Sequence, residues 1–280
     1  MRKVYGDVVF VTGASSGIGR EIARAFMDEG YRVYGTTRKE LPESGEQLEK
    51  SKKSSGFIKM LRLDVCDEES VKKAVNYVNQ KEGRIDILVN NAGFGIAGSI
   101  EDTSTEEALE QFNTNFFGVH RMCRQVIPIM RKNGGGLIIN ISSVAAQFSI
   151  PFQAMYSASK YAVEALSEAL RIETGPFGIR VAVVEPGDTR TGFTQNRQYV
   201  KASDENSVYF DTFKKSVEKM VKDETNGPGP GKIARTVLKI AARKNPPVRV
   251  TVGTDYKVIV QLKRFLPMRF VQYMISKMYS

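Results

Sequence analysis

Short apolar runs rich in β-branched residues alternate along this chain with longer stretches whose apolar residues recur at helical spacing. The short runs are almost continuously apolar, which is typical of strands that are covered on both faces. Strands of this kind separated by helices predict a parallel sheet between two layers of helices. We therefore expect an α/β fold.

The predicted elements follow one another without a clear linker. Strands are expected at residues 7–12, 31–36, 57–63, 85–89, 137–141, 179–184 and 248–252. Helices are expected at residues 17–29, 68–81, 105–131, 154–173, 233–242 and 256–278, the last interrupted at Pro267. Polar residues 40–56 predict a surface connection, and residues 188–230 predict an insertion beyond the carboxyl edge of the sheet. We expect one domain over residues 1–280.

The composition excludes several classes of protein. Of the 280 residues, 41% are hydrophobic and 26% are charged, which is typical of a globular chain. Two cysteines and one histidine provide neither a disulfide scaffold nor a structural zinc site. No apolar run reaches the roughly 18 residues of a membrane-spanning helix, and no signal peptide is evident. We expect a cytoplasmic protein without a metal or an integral membrane span.

A glycine-rich turn joins the first predicted strand to the first predicted helix. Its glycines have the spacing Gly-x-x-x-Gly-x-Gly, and the turn comprises Thr12, Gly13, Ala14, Ser15, Ser16, Gly17, Ile18 and Gly19. Glycines allow the backbone to approach a pyrophosphate, and the start of the helix offers unpaired N–H groups to its charge. The turn predicts a dinucleotide site, although a plain strand–helix connection has a similar composition.

The end of the second predicted strand bears on the choice of dinucleotide. An NAD site usually has an acid here, about 20 residues after the glycines, which accepts from the ribose 2′-hydroxyl. This chain has Thr37 and Arg38 instead. A guanidinium complements a 2′-phosphate in charge and geometry, so the sequence favours NADP(H). The alternative is that Arg38 is an ordinary exposed cation.

Tyr156 and Lys160 are four residues apart on a predicted helix and therefore share a face. A nearby cation favours the phenolate and lowers a tyrosine pKa from its usual value of about 10. Ser142 and Ser143 follow a predicted strand, at the edge where ligands of open α/β sheets bind. A serine hydroxyl there can donate to a substrate oxygen, so these residues together favour acid–base chemistry at a carbonyl or an alcohol.

At this point the residues match a known family. Over about residues 5–190 the chain resembles the short-chain dehydrogenases/reductases of the single-domain type. The matching features, very specific in this order, are Thr12, Gly13, Gly17, Gly19, Asp64, Asn90, Asn91, Ala92, Gly93, Asn115, Ser143, Tyr156, Lys160, Pro186, Gly187 and Thr191. The resemblance implies an extended Rossmann fold of about seven parallel strands.

The resemblance also implies a catalytic tetrad of Asn115, Ser143, Tyr156 and Lys160. The cofactor would pass a hydride to a carbonyl carbon while Tyr156 protonates the developing alkoxide, or the reverse. Ser143 would hold the carbonyl oxygen, and its spacing from Tyr156 fits the family better than that of Ser142. Lys160 would bind the nicotinamide ribose and lower the Tyr156 pKa, and Asn115 would support a water that links Lys160 to solvent.

The remaining cofactor contacts are implied in the same way. Asp64, with Val65 beside it, would cap the adenine amino group, and the stretch of Asn91, Ala92 and Gly93 would pack along the adenosine ribose. The carboxamide would be held by a loop that contains Pro186, Gly187, Asp188, Thr189 and Thr191. Asp188 departs from the family, which usually has an apolar residue there.

Aromatic and aliphatic residues are frequent in the expected substrate loops and suggest a sizeable apolar substrate, although many of them would simply pack the lid, residues 188–230. These residues are Phe94, Ile96, Phe148, Ile150, Phe152, Met155, Phe193, Tyr199, Tyr209, Phe210 and Phe213. Residues 90–101 and 251–255 resemble the hydroxysteroid and retinol dehydrogenase branch and its bacterial relatives. That likeness implies a secondary alcohol or ketone on a lipophilic, steroid-like substrate. The alternatives are a reductase of 3-oxoacyl or small ketone substrates and a non-catalytic NADPH sensor or scaffold.

The positive charge lies at the C-terminal end of the chain. Basic and acidic residues number 41 and 31, and from Lys232 onward 11 basic residues stand against one acid, Asp255. Residues 255–280 predict a basic amphipathic helix, which would pack on the substrate loops or a second subunit, contact an anionic membrane peripherally, or complete the core. Pro267 and a narrow apolar stripe favour packing of this helix against protein. We therefore expect a homodimer or homotetramer in which the C-terminal tail borders the substrate cleft. The basic residues of the tail would favour acidic lipophilic substrates. A nucleic-acid role rests on charge alone, and we expect none.

Overall fold

A computed structural model describes residues 2–41 and 48–279, and they form a large twisted sheet with helices on both faces. Its strands are β1 (Val8–Val11), β2 (Arg32–Thr37), β3 (Leu48–Lys50), β4 (Phe57–Arg62), β5 (Ile87–Asn90), β7 (Gly136–Ile141), β8 (Ile179–Pro186) and β10 (Arg249–Val252), while β6 (Ile96–Ala97) and β9 (Gln198–Tyr199) pair separately. The helices are α1 (Gly17–Asp28), α2 (Glu68–Glu82), α3 (Thr105–Phe112), α4 (Gly118–Lys132), α5 (Ala154–Thr174), α6 (Phe210–Asn226), α7 (Gly231–Ala241), α8 (Thr254–Lys263) and α9 (Met268–Tyr279).

The strand order is β10-β8-β7-β5-β1-β2-β4-β3, and every pair is parallel except β3 with β4. The predicted α/β fold with a parallel sheet and two helical layers is confirmed. The sheet has eight strands rather than about seven because β3, inside the polar stretch predicted as a connection, adds an antiparallel edge strand. The remainder of that stretch includes residues 42–47, which lie outside the described residues.

Two apolar cores lie on opposite faces of the sheet. On one face, α1 and α7 contribute side chains such as Phe26 and Val237. On the other face, α2, α4 and α5 contribute side chains such as Val75, Met122 and Val163. Because both faces are covered, the central strands can be apolar on both sides, as their continuous apolar runs predicted.

Chain order reverses between β5 and β1, so the connections on either side diverge and leave a crevice at the carboxyl edge of the sheet. The glycine-rich turn after β1 lies at this edge. The segments that follow β5, β7 and β8 lie at the same edge because those strands are parallel to β1. This arrangement gathers the predicted motifs although they are up to 180 residues apart.

The helix predicted over residues 105–131 is interrupted. Residues Asn113–Phe117 form one π-helical turn between α3 and α4. Such turns insert a residue into the helical ladder and are frequent at functional sites. Periodicity did not reveal the break, because the apolar pattern continues on both sides of it.

Candidate active site

The turn after β1 has the conformation that a phosphate cradle requires. Gly13 and Gly17 have φ of +65° and +55°, which side-chain-bearing residues rarely adopt. A Cβ at Gly19 would lie 2.3 Å from the carbonyl oxygen of Gly13. Ser16 begins α1 without a capping side-chain hydrogen bond, and Ser15 beside it is exposed. The first N–H groups of α1 can therefore bind an anion, with Ile18 half-buried in that first turn.

Asn91 and Thr12 hold this turn in place. The Thr12 hydroxyl oxygen accepts from the backbone N–H groups of Asn91 and Ala92, at 2.9 and 3.0 Å. The Asn91 amide donates to the carbonyl oxygens of Thr12 and Gly13, at 3.0 and 3.1 Å. The Asn91 side chain, which was expected along the adenosine ribose, therefore braces the glycine turn.

Thr37 and Arg38 lie at the end of β2, beside the glycine turn. Thr37 is buried and accepts from the Lys39 backbone N–H at 3.2 Å, whereas Arg38 is exposed. Among residues 2–41 and 48–279, no carboxylate forms an ion pair with the Arg38 guanidinium. The guanidinium therefore presents its donors at the place where the ribose 2′ substituent of a dinucleotide is expected.

Asp64 and Val65 follow β4 on the same side of the crevice. The Asp64 carboxylate accepts from the Cys66 backbone N–H at 2.9 Å, which fixes the turn. Val65 is buried against Gly118, where a Cβ would lie 2.8 Å from a Val65 methyl group. The Asp64 side chain is therefore partly exposed, whereas the Val65 side chain is buried in the protein.

Tyr156 lies in the first turn of α5, buried beside Ser143. Burial raises the Tyr156 pKa to about 12, and the neighbouring Ser143 hydroxyl acts in the opposite direction. Ser143 also accepts from the Ala145 backbone N–H at 3.1 Å, which holds it at the end of β7. Of the two candidate serines, it is Ser143 that contacts Tyr156.

Lys160 lies one turn further along α5, with its ammonium nitrogen 5.7 Å from the centre of the Tyr156 ring. It donates to the Ile141 carbonyl oxygen at 2.9 Å. Burial lowers the Lys160 pKa to about 8, although the nearby Glu164 carboxylate acts in the opposite direction. The expectation that Lys160 depresses the Tyr156 pKa is not met in the protein alone, because burial disfavours both charges.

Asn115 occupies the π-helical turn and connects two parts of the site. Its amide nitrogen donates to the Phe94 carbonyl oxygen at 3.0 Å and to the Ser159 hydroxyl at 3.1 Å. A Cβ at Gly93 would lie 3.0 Å from the Asn115 amide oxygen and 3.7 Å from the Lys160 nitrogen. The structure therefore brings together all four residues of the predicted tetrad.

The segment after β8 completes the dinucleotide crevice. Thr191 packs against the glycine turn. A Cβ atom added at Gly17 would lie 3.4 Å from the Cβ atom of Thr191. The Thr189 hydroxyl donates to the Gly187 carbonyl oxygen at 2.8 Å, and Pro186 ends β8. These contacts position the loop that was expected to hold the carboxamide.

Asp188, the departure from the family pattern, has a specific partner. The Tyr256 hydroxyl donates to its carboxylate, and the Tyr256 ring packs against Gly187 so closely that a Cβ there would lie 2.1 Å from it. Burial raises the Asp188 pKa, and the tyrosine bond opposes this. The start of α8 is thereby joined to the loop after β8.

Aromatic residues beside the site divide into two groups. Phe193 covers the catalytic tyrosine, with ring centres 5.5 Å apart. Phe152, Tyr199 and Phe213 pack against one another, with ring centres 5.7 and 6.2 Å apart. Phe193 therefore lies beside Tyr156, whereas the other three rings form a cluster that joins the segment after β7 to residues 188–230.

Two positioning residues were missed by the sequence analysis. Gln111 is fully buried and bridges the loop after β5, accepting from the Ile96 N–H at 2.8 Å and donating to the Phe94 carbonyl at 2.9 Å. Arg197 is buried in the lid, ion-paired with Glu224, and its guanidinium lies 5.9 Å from the Phe193 ring centre. Neither residue carried a signal in the sequence, because polar neighbours surround Gln111 at helical spacing and Arg197 lies in an irregular segment.

Known proteins similar to this chain agree with the arrangement of these residues. A model of the short chain dehydrogenase family matches residues 7–201. The chain belongs to that family. As a short-chain dehydrogenase it is an oxidoreductase, and the family uses a nicotinamide dinucleotide. The glycine cradle, the open start of α1 and the exposed Arg38 guanidinium fit such a cofactor.

Individual relatives of this short-chain dehydrogenase cover nearly its whole length. It is 43% identical over 275 residues to a 3-ketodihydrosphingosine reductase of Bacteroides thetaiotaomicron, covering 98% of both chains. A solved short-chain dehydrogenase from Streptomyces avermitilis is 31% identical with a TM-score of 0.78, covering 97% of this chain and 96% of its own. One from Burkholderia phymatum, solved with NAD, has a TM-score of 0.77 at 24% identity, covering 94% and 95%, and shares the fold. Other chains of this fold were solved with NADP, so the fold is compatible with either dinucleotide.

Proposed function

We propose that this short-chain dehydrogenase uses NADP(H) to interconvert a ketone and a secondary alcohol on a long-chain lipid. The observation that carries the proposal is the convergence of Asn115, Ser143, Tyr156 and Lys160 at the carboxyl edge of the sheet, next to a turn built for a pyrophosphate. Together they provide a proton donor, a holder for an oxygen and a cation.

To each of these side chains we assign the role that the family resemblance implies. The bound nicotinamide supplies or accepts the hydride. Ser143 holds the substrate oxygen and Tyr156 gives it a proton, or removes one in the reverse direction. Lys160 holds the ribose hydroxyls and keeps a positive charge beside the tyrosine. Asn115 fixes the π-helical turn and orients a water that brings protons from solvent to Lys160.

The preference for NADP(H) rests on Arg38 and Thr37. An acid at either position would repel a 2′-phosphate, and neither position has one. The exposed Arg38 guanidinium offers a planar pair of donors that matches phosphate geometry. The glycine turn, Asp64, the loop of Asn91 to Gly93 and the loop after β8 would hold the rest of the molecule.

The substrate class is supported by the lid and by one relative. Phe193, beside the catalytic tyrosine, gives the substrate side an apolar wall. The relative that reduces 3-ketodihydrosphingosine aligns over nearly the entire chain, including the C-terminal helices. We therefore propose a long-chain 3-keto lipid in preference to the steroid-like ring system that the sequence favoured. Residues 188–230 serve as the lid of a single catalytic domain.

A substrate panel tests this proposal. The purified full-length protein is assayed with NADPH and with NADH on 3-ketodihydrosphingosine, a 3-ketosteroid and a 3-oxoacyl thioester. We expect the largest kcat/KM for the sphingoid ketone with NADPH. A larger value for the steroid or the thioester would overturn the substrate assignment, and a preference for NADH would overturn the cofactor assignment. Stoichiometric NADPH binding without turnover on any ketone would favour a sensor.

A further inference from the structure

The C-terminal helices leave large apolar side chains exposed. Among the described residues, 21 large hydrophobic side chains are exposed, and 10 of them lie within residues 254–279. We call these ten the C-terminal apolar face: Val258, Ile259, Leu262, Phe265, Leu266, Met268, Phe270, Tyr273, Met274 and Met278. Exposed apolar residues concentrated in this way mark an interaction surface.

Helical spacing explains how these side chains come to be exposed together. On α9, Phe270, Met274 and Met278 follow one another every four residues and therefore share one side of the helix. A second row of residues, displaced by about 100° around the helix, is buried or half-buried against the protein and comprises Val271, Ile275 and Tyr279. On α8 the same division separates Leu262, which is exposed, from Val260, which is buried. Both helices are therefore anchored by one side and present an apolar side outward.

The charge around this face identifies the partner that it fits. The same segment carries Lys257, Lys263, Arg264, Arg269 and Lys277 against one acid, Asp255. A second copy docked symmetrically would bring these cations against one another with almost no acid to neutralise them. A layer of anionic headgroups over apolar chains complements both the charge and the apolar side chains.

The position of the face relates it to the crevice. Tyr256 at the start of α8 contacts the loop after β8, and the Lys263 ammonium at its end donates to the Gln147 carbonyl in the segment after β7. The face therefore lies on the substrate side of the molecule. In the described part of the chain, no helix is both long and apolar enough to cross a bilayer.

We propose that α8 and α9 dock this protein on the surface of an anionic lipid bilayer. The side chains of the C-terminal apolar face enter the boundary between headgroups and acyl chains, and the surrounding Lys and Arg residues bind anionic headgroups. This docking is independent of the proposed function, because it concerns the bilayer itself and is measured without ketone or cofactor.

Vesicle sedimentation of the full-length protein tests the proposal. We expect binding to mixed phosphatidylcholine–phosphatidylglycerol vesicles, much weaker binding to phosphatidylcholine alone, and release by salt, which screens the headgroups. The double variant Phe265→Ser with Phe270→Ser should lower the partition coefficient by more than about tenfold. The variants Arg264→Gln and Arg269→Gln should each lower it about fivefold.

A matched control separates docking from general stickiness. Ile172 on α5 is 79% exposed, close to the 84% of Phe265, and lies outside the face. Ile172→Ser should bind vesicles as the unmodified protein does. Thermal melts verify that each variant is folded. Absence of vesicle binding, or equal binding by the Phe265/Phe270 and Ile172 variants, would overturn the proposal. So would a smaller oligomer of the Phe265/Phe270 variant in sedimentation velocity, because that result would assign the face to a second copy.

Discussion

At the scale of single residues, burial favours the uncharged forms of both Tyr156 and Lys160. It raises the Tyr156 pKa to about 12 and lowers the Lys160 pKa to about 8. At neutral pH the tyrosine therefore holds its proton, as an acid that serves ketone reduction must. Lys160 is protonated at neutral pH but loses its proton at a lower pH than an ordinary lysine.

The Lys160 pKa predicts a pH profile. If reduction needs the ammonium, kcat/KM should be constant below a pH of about 8 and fall above it, because the folded protein loses this proton there. Lys160→Arg keeps a positive charge at every accessible pH and should show no such decline, whatever its absolute rate. A profile for the unmodified protein that stays level to a pH of about 10 would contradict the role of Lys160.

Arg38 predicts a change of cofactor preference. Replacing Arg38→Ala together with Thr37→Asp removes the guanidinium and adds a repelling carboxylate. We expect kcat/KM for NADPH to fall about tenfold to a hundredfold, as for the loss of a charged hydrogen bond, with a gain for NADH. Steady-state kinetics with both cofactors measures the change. The adjacent exposed Lys39→Ala is the control and should leave the ratio unchanged; an equal effect there would indicate only a general loss of positive charge.

The four residues of the predicted tetrad could be selected from the sequence, whereas the contacts that position the site could not. Tyr156 and Lys160 are four apart on one helix, so local spacing was sufficient to pair them. Asp188 was evident as a departure, but its partner Tyr256 lies 68 residues away and is brought there by α8. Local patterns carry no information about such distant pairs.

At the scale of elements, the π-helical turn shows the same limit. Residues 105–131 have a continuous helical pattern, and the break at Asn113–Phe117 comes from the contacts that Asn115 makes with Phe94 and Ser159. Tertiary hydrogen bonds thus override a local preference. The lid was predicted as an insertion without strands, yet β9 pairs with β6 and α6 forms within it.

The link between α8 and the loop after β8 predicts a binding effect. Tyr256→Phe removes the hydroxyl that donates to Asp188 and leaves a buried carboxylate without that donor. We expect the KM for NADPH to rise several-fold with kcat little changed, because the loop loses its support while the tetrad is untouched. Steady-state kinetics tests this, with the exposed Tyr273→Phe as control. An unchanged KM with a fall in kcat would contradict a positioning role.

At the scale of the whole molecule, a buried charge cluster joins three elements. Arg249 on β10 forms ion pairs with Glu164 on α5 at 2.7 Å and with Glu185 on β8 at 3.2 Å. Both carboxylates are almost fully buried, and burial raises the Glu164 pKa while Arg249 opposes this. Removing Arg249 would leave both buried carboxylates without an ion-pair partner among the described residues, with Lys160 as the nearby cation at Glu164.

This cluster predicts a pH-dependent loss of stability. Arg249→Met should lower the free energy of unfolding by about 3 kcal/mol near pH 8, as for a broken buried ion pair. A carboxyl whose pKa is raised on folding adds stability below its unfolded pKa and loses it as pH rises through the folded value. The deficit should therefore be smaller at pH 5 than at pH 8, because the raised Glu164 pKa favours the neutral carboxyl as pH falls.

Urea unfolding at both pH values measures the effect of Arg249→Met. The exposed Lys244→Met serves as the control and should change stability little at either pH. A deficit of equal size at both pH values would show that the loss comes from packing rather than from charge.

The global architecture could be predicted because it depends on patterns that are local and repeated. Continuous apolar runs between amphipathic helices were sufficient for a parallel sheet with two helical layers. The edge strand β3 was missed because it has only three residues, two of them charged, and because it pairs with β4 antiparallel, unlike the other strand pairs of the sheet. The C-terminal segment was predicted to be amphipathic and basic, but only the structure shows that its apolar side is exposed. The homo-oligomer remains a prediction.

The central claim, that Tyr156 donates the proton to a ketone reduced with NADPH, is tested most directly by Tyr156→Phe. This variant lacks the hydroxyl and keeps the ring that packs against Phe193. The measurement pairs the rate of NADPH-dependent reduction of 3-ketodihydrosphingosine with NADPH binding followed by fluorescence. We predict binding within about twofold of the unmodified protein and a kcat lower by about 10²–10⁴-fold. A kcat near that of the unmodified protein, with NADPH bound equally well, would contradict the account.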